Sequence, residues 1–242
     1  MPSVKDLIKI LTKMKNVKKA MSNAPYVGIK PGLYGDGDKL LGVSMPDIRK
    51  SIKDFQVDLS LKDVQVLLDS EFHEIRMSGV LILVHQYKKC STAKGKKKLY
   101  EFYILNVGKK KINNWDFIDI SAPHLSGDYL FGQCVDHGRN VLLEFSNSQN
   151  LWLRRVAVIS TFYHIRQNEF DLTVELGKCL LQDEHHLIHK AVGWMLREVG
   201  KRNESVLINF LDDYHQDMPR IMLSYSMEKL TQKQRKHYLA KK

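Results

Sequence analysis

The chain has 242 residues, 43% hydrophobic and 27% charged, which is enough apolar material for one large core or a short repeat array. Lys and Arg outnumber Asp and Glu by 38 to 27, and the resulting net charge of +11 favours a polyanionic partner through counterion release. Three scattered cysteines with no CxxC pair argue against a disulfide framework and a zinc ribbon, and the absence of any run of about 18 uncharged apolar residues argues against a membrane span.

In chain order, the N-terminal segment is interrupted by lysines and lacks the apolar region of a signal peptide. The chain therefore reads as reduced, soluble and intracellular, in the cytoplasm or nucleoid of a bacterium or the nucleus of a eukaryote. Over residues 3–21, Leu7, Ile10, Leu11, Met14, Val17 and Met21 fall on one helical stripe with lysines opposite. Residues 22–43 hold Pro25, Pro31, Gly28, Gly32, Gly35, Gly37 and Gly42 and read as one long irregular stretch. Ser44 is an N-cap signal near Pro46 for a helix through Phe55, and Ser60 is another, followed by Leu61, Val64, Leu67 and Leu68 at core spacing. Further helices are expected at 71–88, 93–107, 111–120, 124–135, 138–145, 149–167, 169–182, 184–201, 203–213, 218–229 and 231–240. The apolar run Val80 to Val84 sits inside a helical pattern and reads as buried helix. Basic runs mark 94–98, Lys109 to Lys111, and Lys233 to Lys242.

The expected class is all-α: one domain over 1–242, a HEAT-like helical-repeat solenoid with a basic concave groove. Trp115, Trp152 and Trp194 recur close to the 40–47-residue HEAT period, and Cys90, Cys134 and Cys179 keep a similar beat. Each Trp is followed within one turn by a charge: Asp119, Arg155 and Arg197. Aromatic faces and charges repeated along a basic groove suit a charged polymer.

Other motifs read more plainly. His185, His186 and His189 do not form HExxH and have no distant third ligand, so they read as helix-cap or solvent residues rather than a metal site. Gly-Asp-Gly-Asp at 35–38 lacks the downstream Glu of a calcium loop and reads as a turn. Gly193 reads as a close helix contact. Asp116 reads as a capping or salt-bridging residue, and Trp152 as packing between repeats.

Five stretches go beyond composition: Tyr34 to Val43, Asn-Asn-Trp115-Asp-Phe-Ile-Asp119 through His124, Leu151-Trp-Leu-Arg-Arg155-Val-Ala-Val-Ile, Leu187 through Trp194-Met-Leu-Arg197 to Arg202, and Met218-Pro-Arg-Ile-Met222. In this order, from about residue 20 to 240, the chain resembles the AlkD-like DNA alkylation repair family. The resemblance implies a HEAT-like glycosylase acting on N3- and N7-alkylated purines, with Trp115, Asp119, Arg155 and Trp194 at the family's key positions. Asn114 stands where some relatives carry an additional Trp, and Ser224 where close relatives often have a basic residue.

The chemistry fits those residue types. An N3- or N7-alkylated purine is a cation, so its glycosidic bond is already weakened and the base needs no protonation. A carboxylate such as Asp119 can stabilise the oxocarbenium-like sugar and orient a water. Trp115 lies one helical turn before Asp119, and with Trp194 it offers an indole face to a cationic lesion or sugar. Arg155 is expected to hold a phosphate bidentately, with Lys190, Arg197 and Arg202 extending the track. The resemblance further implies excision without extruding the base. No cofactor, metal or lysine nucleophile is needed; the expected partner is double-stranded DNA with alkylated bases, with no membrane and a monomer as the default. Two alternatives remain at this level: a module that binds damaged or branched DNA without excision, and a HEAT scaffold for protein partners.

Overall fold

The computed structural model describes residues 3–56 and 59–240, without the side chain of Val135. Lys241 and Lys242 of the basic tail lie outside the described residues. The described residues are all-helical apart from one isolated bridge between Lys39 and Phe72, as the periodicity predicts. Two compact units are distinguished, Met1–Leu125 and Ser126–Lys242.

The first unit contains α1 (Val4–Lys13), α2 (Val17–Val27), α3 (Met45–Ser51), α4 (Leu61–Leu68), α5 (His73–Lys89), α6 (Ala93–Gly108) and α7 (Trp115–Ala122). Helix α5 is its centre, packing on α1, α3, α4, α6 and α7. Val80, Leu81, Ile82, Leu83 and Val84 are all buried, so the apolar run is a buried helix. Ser44 and Ser60 cap α3 and α4 as predicted.

Two expectations here need correction. The 3–21 stripe is two helices, because the Asn16 side chain accepts from the Lys19 N–H at 3.1 Å and opens α2 as an N-cap. Leu7 and Leu11 are buried, whereas Met14, Val17 and Met21 are exposed. The irregular stretch begins at Gly28 rather than residue 22: α2 runs through Pro25 to Val27 and ends on Gly28 in the left-handed conformation, φ 65°. Its terminal carbonyls find partners outside the helix, described below.

Helix α7 leads into a π-helical turn, Pro123–Gly127, where a single helix over 124–135 is expected. Pro123 has no N–H to give the carbonyl four residues back, that of Asp119, so the regular ladder cannot continue. The second unit contains α8 (Asp128–Phe131), α9 (Val135–Ser146), α10 (Leu151–Arg166), α11 (Asp171–Cys179), α12 (His186–Gly200), α13 (Glu204–Tyr214), α14 (Arg220–Ser226) and α15 (Gln232–Leu239). Helices α10, α12 and α14 pack side by side, while α9, α11 and α13 each lie against one of them or between two. This is the two-helix repeat. Gly193 permits it as expected: a Cβ there would stand 2.5 Å from the Met222 carbonyl oxygen and 2.7 Å from Tyr225 Cβ.

The tryptophan beat corresponds to α7, α10 and α12. The cysteine beat does not mark equivalent positions: Cys90 follows α5, Cys134 precedes α9 and Cys179 ends α11. All three are free thiols.

Candidate functional site

In the first unit, four consecutive residues at the start of α7 are each tied to a different neighbour. Asn113 accepts from Arg76 Nη1 at 2.6 Å. Asn114, fully buried, donates its amide to the Val27 carbonyl at 2.9 Å and accepts from the Trp115 N–H at 2.9 Å. The Trp115 indole N–H donates to the Tyr26 carbonyl at 2.9 Å, and the Tyr34 hydroxyl reaches the same oxygen at 3.0 Å. Asp116 accepts from its neighbour's N–H at 2.9 Å and meets His73 Nε2 at 2.8 Å. The orphan carbonyls at the end of α2 thus become the anchors of α7.

This fixes what Trp115 can offer. With its only polar group committed to Tyr26, the half-buried indole presents a ring and no donor. Asp119, one turn on, is also half-buried. Burial pushes the pKa of the fully buried Tyr103 hydroxyl up, and the negative charge of Asp119 adds to that. Ser121 donates to the same phenol at 3.0 Å.

Behind α7 lies a buried charged group. Arg76 pairs with Asp38 and also faces the ring of Phe117 at 5.1 Å. His73 stacks on that ring at 4.3 Å and lies 3.4 Å from Asp38 through Nδ1. Burial opposes a charge on His73, but Asp116, with help from Asp38, raises its pKa from 6.5 to about 9. Glu74, beside it, accepts from the Leu41 and Gly42 N–H groups at 2.8 and 2.7 Å and holds the loop that carries Asp38. A cavity of about 330 Å³ opens here, lined by Tyr26, Val27, Leu40, Met45, His73 and Asp116 among others.

In the second unit, α10 carries Trp152 and Arg155 and α12 carries Lys190, Trp194 and Arg197. Trp152 is buried, as expected for a packing residue. Trp194 is half-buried, tilted against Phe162 with centroids 6.0 Å apart, and its indole N–H donates to Glu198 at 3.1 Å. Like Trp115, it is left with a face rather than a donor. Glu198 also accepts from Arg197 at 3.1 Å and Lys201 at 2.8 Å; burial raises its pKa, but those two cations hold it below the usual carboxylate range. Arg197 pairs with Glu228 as well.

Arg155 is 4% exposed and donates to the Leu187 carbonyl in the first turn of α12, while its neighbour Arg154 pairs with Asp183 at 2.6 Å. The two point apart, as adjacent helical residues must. Lys190 is half-buried beside His186, whose pKa is lowered by burial and by the charges of Lys190, His189 and Arg155. Arg202 is exposed and lies 3.4 Å from the Asn168 side chain. His185 caps α12, its Nδ1 accepting from the Leu187 N–H at 3.1 Å, and His189 meets the Asp183 carbonyl. No group of metal ligands occurs among the described residues. A cavity of about 540 Å³ in this unit, lined by Phe131, Arg139, His164, Asp171 and Glu175, contains none of the predicted site residues.

The sequence assigns no site role to Asp38, which it shows only as part of a turn, or to His73 and Arg76, and no anchoring role to Asn113 and Asn114. The paired Asn before Trp115 is a legible N-cap signal; nothing in the sequence pairs Asp38 with Arg76.

Residues 7–230 match the family described as DNA alkylation repair enzyme. Comparison with curated proteins gives no match. A solved structure described as a predicted DNA alkylation repair enzyme from Enterococcus faecalis is similar at 15% identity with TM-score 0.71, covering 90% of this chain and 98% of that one. AlkD2 from Streptococcus mutans is similar at 16% identity with TM-score 0.54, covering 89% and 99%.

Proposed function

The chain belongs to the DNA alkylation repair enzyme family, and on that premise we propose that it is a monofunctional glycosylase. It hydrolyses the N-glycosidic bond of cationic N3- and N7-alkylated purines in duplex DNA and leaves an abasic site. The observation that carries this reading is α7, where Trp115 and Asp119 stand one turn apart on a helix whose first residues are pinned on every side.

In this mechanism the two indoles act through their faces, since both N–H groups are occupied within the protein. Each face near a lesion or sugar cation contributes about 0.5–2 kcal/mol, depending on desolvation. Asp119 stabilises the sugar cation as the bond breaks and accepts a proton from the attacking water. The base leaves neutral because it started as a cation, so no acid is required. Selectivity then follows lesion charge and glycosidic lability, and a base extruded into a deep pocket is unnecessary. Lys190 and Arg202, the least committed of the four proposed phosphate contacts, reach DNA directly. Arg155 and Arg197 are held by Leu187 and by Glu198 and Glu228, so they act as pre-oriented positive charge. The protein acts as a monomer on alkylated duplex DNA, without metal or organic cofactor.

The test is base release from duplexes carrying N7-methylguanine, N3-methyladenine or the neutral lesion O6-methylguanine. Release of the two cationic bases above their spontaneous rates, with none of the neutral one, is the expected result. No release of either cationic base overturns the reading in favour of a module that binds DNA without excision.

A further inference from the structure

The buried charges around α5 and α7 cannot be explained as an efficient way to stabilise a helix start. His73, Arg76 and Asp38 have side chains 5%, 6% and 9% exposed, and Asp116 is 22% exposed. Taking four charges out of water costs free energy that their mutual attraction largely offsets and seldom exceeds, and apolar residues of similar volume commonly do as well. What such a group supplies is direction. Each partner is usable at few angles, and together they come from three segments. Asp38 belongs to the loop between α2 and α3, just after Gly37 at φ 87°. His73 and Arg76 lie in the first turn of α5, and Asn113 and Asp116 flank the α7 start. Both cations also lie against Phe117, the residue midway between Trp115 and Asp119.

We propose that Asp38, His73 and Arg76 are positioning residues, which through Asp116, Asn113 and Phe117 set the orientation of Trp115 and Asp119 and hence the rate of base release. The inference rests on the glycosylase reading for its effect on rate, but its geometric half stands without it. The second Asp of the Gly-Asp-Gly-Asp turn thereby joins the site through an ion pair rather than through a bound ion. The arrangement also makes the site sensitive to the charge on His73. The charged groups that face it are Asp38 from the loop, Asp116 from α7 and Arg76 from its own helix. Loss of its proton leaves two carboxylates sharing one buried guanidinium, and the start of α7 loosens.

Two readouts test this on the full chain, using His73→Gln and the milder Asp38→Asn. The first is the indole N–H resonance of Trp115, with that of Trp194 as the internal reference. Expected is a shift and faster hydrogen exchange at Trp115 in both variants, with Trp194 unchanged. The wild-type Trp115 resonance should also move as pH passes about 9, which keeps the test alive if a variant fails to fold. The second is single-turnover release of N7-methylguanine alongside DNA affinity. Expected is a fall in rate on the order of 10²-fold, the scale of a roughly 1 Å misplacement, with affinity retained. Wild type should lose rate above about pH 9, and His73→Gln should lack that limb. A Trp115 resonance indifferent to both variants and to pH overturns the proposal. So does a rate loss matched by an equal loss of affinity. Absence of release by wild type, with the resonance behaving as expected, sinks the glycosylase reading and leaves the positioning role standing.

Discussion

Asn114 spends both ends of its amide, one on the Val27 carbonyl and one on the Trp115 N–H, in a position with no solvent contact. Replacing it with Ala removes the donor to a carbonyl at the end of α2, where water does not reach Asn114's own site. The expected cost is about 1–3 kcal/mol, read from urea unfolding, because a buried polar group loses its partner. His73 makes a pH-dependent contribution. Its folded pKa is raised from 6.5 to about 9, so its stabilisation is complete below pH 6.5 and is lost as pH rises through 9. The loss is on the order of 3 kcal/mol. Unfolding free energies of wild type should therefore fall over that window, and those of His73→Gln should fall less. Equal slopes for the two proteins would show that His73 is not charged in the folded state.

Among the elements, α12 and α14 approach so closely at Gly193 that one added methyl would block the contact. Gly193→Ala places a methyl 2.5 Å from the Met222 carbonyl oxygen, backbone that cannot step aside cheaply. The expected destabilisation is about 1–3 kcal/mol or more, visible as a lower Tm, from overpacking. That contact was legible in the sequence, since a Gly within an apolar helix needs a packing reason. So were the caps at Ser44 and Ser60, and the burial of Val80 to Val84 within α5, because each depends on local pattern. What local pattern misreads is α2. Pro25 and Gly28 are breakers in isolation, but α2 runs through Pro25, and the carbonyls of Tyr26, Val27 and Gly28 at its end accept from Trp115, Asn114 and Gly35. The π-turn at Pro123 escapes local pattern for the opposite reason: a proline between two helical patterns reads as a boundary, whereas the helical turns run on through it. Of the site, Trp115, Asp119 and Trp194 came from a motif that resembles a known family. Asp38, His73 and Arg76 are separated in sequence by 35 or more positions from one or another partner, and only the fold brings them together.

At the scale of the whole molecule, the charge is unevenly shared. Residues 1–125 hold 22 of the 38 Lys and Arg but only 13 of the 27 Asp and Glu, so most of the +11 belongs to the unit that carries α7. Attraction to DNA is then supplied mainly by one unit, while the residues proposed to grip phosphates lie in the other. Affinity for duplex DNA should fall linearly on logarithmic axes with salt, by roughly 0.9 per phosphate contact. Arg202→Gln should reduce that slope by about 1; an unchanged slope, measured by titration at several salt concentrations, would remove Arg202 from the track. None of the described helices is long and apolar enough to cross a membrane. The proposed chemistry turns on one carboxylate, Asp119. Single-turnover release of N7-methylguanine from duplex DNA by wild type and by Asp119→Asn, with DNA affinity measured on the same samples, addresses it most directly. The expected result is a loss of at least about 10²-fold in rate with affinity retained. Release by the variant at the wild-type rate would contradict it.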